Sequence, residues 1–83
     1  MSKFFEEHPL ITKDYSKMFD YDQRHCLLMY CFWLELYQSS SMTEDDVTKL
    51  REEIVKLRSV MAAKDVRRTE KQLGYTIDDV LTD

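Results

Sequence analysis

The chain has 83 residues, 16 acidic side chains against 12 basic ones, and a net charge of −4. That balance argues against general nucleic-acid binding, which draws on a broad basic surface, and a single glycine with a single proline points to one all-α domain with little loop. A domain of this size buries only about 60–65% of its unfolded surface, so its core is marginal unless a disulfide, a metal or a partner subunit adds to it.

Residues 1–20 read as an N-terminal strap or short helix. Phe4, Phe5, Leu10, Ile11, Tyr15, Met18 and Phe19 are too apolar for a disordered tail, and Pro9 interrupts any helix begun at Ser2. The spacing predicts a short helix over 12–19, with Tyr15, Met18 and Phe19 on one face. His8, beside Pro9, reads as a loop residue.

A helix is predicted over 21–38, capped by Asp20 with Gln23 or by Asp22 alone. It contains "CLLMYCFWLELY", residues 26–37, whose first nine residues carry no charge. At 100° per residue only Arg24, Glu35 and Gln38 share a polar stripe, so nearly every side of this helix needs cover. A neighbouring helix shelters one face and the strap part of another. Met29, Tyr30, Phe32, Trp33, Leu36 and Tyr37 are left as the predicted self-association surface, because a patch that large is more than monomers usually expose. A homodimer closed as a four-helix bundle is the simplest assembly; a monomeric three-helix core shut by the strap is the competing reading.

The apolar run is far short of the ~20 residues that cross a bilayer, so no membrane partner is expected. Cys26 and Cys31 lie about 7.5 Å apart along a helix axis and diverge, which predicts two reduced, buried thiols. With no secretory leader at the N-terminus, a cytoplasmic setting is expected. His25 beside Cys26 completes no ligand set, so neither a metal nor another cofactor is expected.

"QSSS", residues 38–41, reads as the connection to a second helix over 43–73. Its start is marked by "MTEDDV": Thr43 caps, Asp46 returns the bond, Met42 and Val47 staple, and Glu44 and Asp45 oppose the dipole. Val47, Leu50, Ile54, Leu57 and Met61 follow as a heptad seam, and Asp45–Lys49 and Glu52–Lys56 are expected as i, i+4 pairs on the solvent side. Near Ala62 the pattern shifts, since Lys64 and Arg68 would continue the seam; either the helix bends or breaks near Asp65 or its surroundings change there. Gly74 is the natural stop. "YTIDDV", residues 75–80, repeats the capping logic and opens a helical tail over 75–83, too short to be stable alone.

Charge is segregated, with eight basic and four acidic residues over 49–71. Lys64, Arg67, Arg68 and Lys71 form a stripe at i, i+3, i+4 and i+7, which solvent, the aspartates Asp14, Asp20 and Asp22, or an external anion could offset. The chain carries no phosphate loop, nucleophile motif or paired metal ligands, and an enzyme is not expected. The expected role is a small non-enzymatic interaction protein, self-associated, that binds or inhibits another protein. The tail is a second contact candidate, with Ile77, Val80 and Leu81 as groove anchors among Asp78 and Asp79. The alternative role is sequestration of a small anionic nucleotide at a subunit junction by Arg67, Arg68 and Lys71, with a tyrosine stacking on the base. By analogy of style alone, such a chain also suits a phage-encoded inhibitor of host machinery.

Overall fold

Local chemistry fixes three of the helix ends in the computed structural model, which describes residues 3–11, 14–37 and 42–81. Among these residues the regular structure is all helical: α1 (Lys3–Glu7), a 3₁₀ turn (Tyr15–Lys17), α2 (Asp20–Glu35), α3 (Glu44–Val60), α4 (Ala63–Leu73) and α5 (Ile77–Leu81). Thr43 and Asp46 exchange the two bonds of a capping box at the start of α3. Thr76 and Asp79 exchange the same pair at α5. Gly74 ends α4 at φ 88°, a left-handed conformation that suits a residue without Cβ, and its N–H donates to the Glu70 carbonyl. The predicted connection at residues 38–41 lies outside the described residues.

α2 lies between α3 and α4 and packs on both. The seam Val47, Leu50, Ile54, Leu57 and Met61 is buried as its spacing requires, and it meets Cys26, Leu27, Tyr30 and Cys31 of α2, none of which is exposed. The expected helix over 43–73 is two helices, and the break falls at Met61 and Ala62, earlier than Asp65. Both residues adopt extended backbone. The break has a packing cause: Met61 stays in the core as the last seam residue, and the chain then turns so that Lys64 and Arg68 reach solvent instead of continuing the seam.

The strap also differs from expectation. α1 ends at Glu7, two residues before Pro9, and Phe4 and Phe5 are buried. Among the described residues of the predicted helix over 12–19, the 3₁₀ turn at Tyr15–Lys17 is what forms. Met18 is already extended, so Tyr15 enters the core while Phe19 stands 80% exposed as the residue before α2. No side chain caps α2 there, and the Gln23 side chain donates instead to the Tyr15 carbonyl, 2.8 Å away.

α5 is part of the core and not a free tail. Ile77 is fully buried, Val80 and Leu81 pack against the core, and the Ile77 N–H donates to Glu70 Oε2 at 2.7 Å. Arg51 Nε donates to the Val80 carbonyl, and Arg58 pairs with Asp78. An isolated two-turn helix has no stability of its own, so docking is what orders it. Ile77 is therefore corrected from partner anchor to core residue, while Val80 and Leu81 remain half-buried.

Candidate association surface on the second helix

Along α2, positions three and four apart share a face. The inward face carries Gln23, Cys26, Leu27, Tyr30, Cys31 and Trp33, all buried. On the wheel the opposite side is Tyr21, His25, Leu28, Met29, Phe32 and Leu36, a stripe roughly 100° wide. Tyr21 is 70% exposed, Phe32 47% and Leu36 50%, while Leu28 and Met29 are half-buried and His25 is exposed. The helix is therefore apolar on both sides, with only one of them covered by its own chain.

Of the six residues predicted for self-association, Tyr30 and Trp33 are corrected to the core, Phe32 and Leu36 are exposed, and Met29 and Tyr37 are half-buried. Trp33 is 9% exposed because the strap folds over it. The Phe4 ring meets it edge-on at 5.8 Å, and His8 stacks on Phe4 at 4.5 Å while touching Trp33 with its edge. His8 is thus a packing residue. Tyr21, His25 and Leu28 belong to the outward stripe although the helical pattern alone did not single them out; the wheel reveals them once the core-facing side is known.

Tyr30 is held by a polar chain that crosses the core. The Tyr15 hydroxyl donates to Glu53 Oε1 at 2.7 Å, and the Tyr30 hydroxyl, 2.9 Å from it, donates to Tyr15 and accepts the Ile11 N–H. Lys56 and Lys49 reach Glu53 Oε2 at 3.0 and 3.4 Å, in place of the pairs expected with Glu52 and Asp45. Burial pushes the Tyr30 phenol up to about 12 and raises Tyr15 as well. Burial also works to raise Glu53, but the Tyr15 bond and Lys56 outweigh it and hold the carboxyl below its ordinary value. The network is a clasp between strap, α2 and α3. No spacing in the sequence announces it, because its members are 15 and 38 residues apart.

Lys64, Arg67, Arg68 and Lys71 are exposed, and among the described residues they form no ion pair. Of the three ways of offsetting the stripe, pairing with Asp14, Asp20 and Asp22 is not made. Asp14 instead accepts from the N–H and hydroxyl of Ser16, which lowers its pKa. Arg68 alone of the four lines a groove of about 260 Å³ between α2 and α4, together with Tyr21, Arg24, His25, Leu28, Thr69 and Gln72. Arg24 lies 4.0 Å from Asp65, a buried carboxylate under that groove. The stripe and the basic edge of α4 therefore adjoin.

Cys26 and Cys31 are free and buried, as expected, and burial raises both thiols, Cys31 to about 12. Among the described residues no cluster of His, Cys, Asp or Glu could hold a metal ion, and no helix is long and apolar enough to cross a membrane. No known protein family, curated protein or solved structure matches the chain.

Proposed function

We propose that this is a non-enzymatic interaction protein that self-associates through the outward face of α2. The observation that carries the proposal is the stripe Tyr21, His25, Leu28, Met29, Phe32 and Leu36, in which Tyr21, His25, Phe32 and Leu36 are exposed and Leu28 and Met29 half-buried. Burying one large apolar side chain contributes about 1.5–3 kcal/mol, so three or four of them supply the driving force for a small interface. A two-fold axis lets one such stripe cover another. Binding to or inhibition of a further protein would then proceed from the assembled form.

Sedimentation across a dilution series tests this reading. The expected result is a dimer at micromolar concentration that Phe32→Glu converts to a folded monomer; a wild-type chain that stays monomeric there overturns it.

A second reading draws on the groove between α2 and α4. Arg68, Arg24 and His25 stand around an exposed tyrosine, Tyr21, a set that suits a small anionic nucleotide with its base on the ring. A thermal shift with one member of a nucleotide panel, abolished by Arg68→Ala, supports it. No shift with any of them ends it.

A further inference from the structure

Resting on the self-association proposed above, we infer that the second copy lies antiparallel, with the two-fold axis passing between Leu28 and Met29. The stripe runs from Tyr21 to Leu36, about 22 Å along the helix, and its midpoint falls between those two residues. An antiparallel mate centred there sets Tyr21 against Leu36, His25 against Phe32, and Leu28 against Met29 of the second copy. Aromatic rings then meet aliphatic chains at both ends, and each imidazole lies on a phenyl ring.

Charge selects the direction. α4 runs alongside α2 in the same sense, since Arg24 lies near Asp65 while Leu28 shares the groove with Thr69 and Gln72. One flank of the stripe is therefore basic in its first half, through Arg24 and Arg68, and on the helical wheel it is acidic at its far end, through the exposed Glu35, which also lines a groove with Tyr75 and Arg51. A two-fold axis lying across the helices keeps like flanks on the same side and reverses their order. Each copy's Arg24 and Arg68 then stand beside Glu35 of the other copy, and the contact occurs twice. A parallel mate would turn Arg24 toward Asp22 of the second copy, but it would leave Glu35 without a basic neighbour on α2. It would also stack His25 on its own copy and align the helix dipoles side by side.

Variants of the full chain with one added cysteine read the arrangement directly, because the two native thiols are buried. Under mild oxidation Leu28→Cys should cross-link to itself, and a mixture of Tyr21→Cys with Leu36→Cys should give the mixed product. Tyr21→Cys alone and Leu36→Cys alone should not, because their copies lie about 22 Å apart, beyond disulfide reach. Self-cross-linking of both end variants, each shown to be folded by circular dichroism, overturns the antiparallel arrangement in favour of a parallel one and leaves self-association standing. A sedimenting dimer in which none of the three positions cross-links overturns α2 as the seam. A sedimenting monomer removes the association reading itself.

Discussion

On its inward face α2 carries Cys26, Leu27, Tyr30 and Cys31 with no exposure at all, whereas Tyr21, Phe32 and Leu36 on the other face are largely open. Both faces are mostly apolar, yet among the described residues the side-chain hydrogen bonds of these two faces lie on the inward one. Tyr30 ends in the Tyr15–Glu53 chain and Gln23 in the Tyr15 carbonyl, so those side chains are specified in direction as well as in burial. The outward residues meet no such demand. Their positions suit any surface of matching shape, which is what an association face requires and a core does not.

The inward face is where the largest losses are expected. Tyr30→Ala should cost about 3–5 kcal/mol, since it removes a fully buried ring and the partner of Tyr15 and of the Ile11 N–H; urea unfolding measures it. Ile77→Ala, at about 2–5 kcal/mol by the same cavity argument, sharpens the distinction by showing that α5 belongs with the inward side. Next comes Glu53→Ala, at about 1–3 kcal/mol because the buried Tyr15 hydroxyl loses its acceptor. Glu53 also carries a pH signature. Its folded pKa is lower than its unfolded one, so the unfolded chain takes up the proton first. The stabilisation is complete above the ordinary glutamate value of 4.5 and drains as pH falls through the folded one. The gap between wild type and Glu53→Ala should therefore narrow in acid, as chemical denaturation at several pH values would show. The smallest effect on stability, within about 0.5 kcal/mol, is expected from Phe32→Glu on the outward face, which should nevertheless abolish the dimer. A large loss of stability in the isolated chain would erase the difference between the two faces.

What could be read from the sequence was what depends on near neighbours. The capping boxes at Thr43 and Thr76, the stop at Gly74 and the seam from Val47 to Met61 each rest on residues within a turn or two, and each is present in the fold. The excess of apolar surface on α2 was legible too, but not its orientation: Tyr30 and Trp33 had to be distinguished from Tyr21 and Phe32 by what covers them. That cover comes from Phe4, His8, Tyr15 and Glu53, which lie far away in the chain. The burial of Ile77 was not legible for the same reason, because apolar anchors among aspartates look alike whether the groove belongs to another protein or to α3 and α4 of the same one.

The two free cysteines give the molecule an internal clock. Sealed within α2 and poorly ionised, they can meet an alkylating reagent only when the surrounding helices separate, since the thiolate is the reactive form and no path leads to it in the closed state. The rate at which mass is added at Cys26 and Cys31 thus counts opening events, and slower addition at higher protein concentration would record a second copy holding the structure shut.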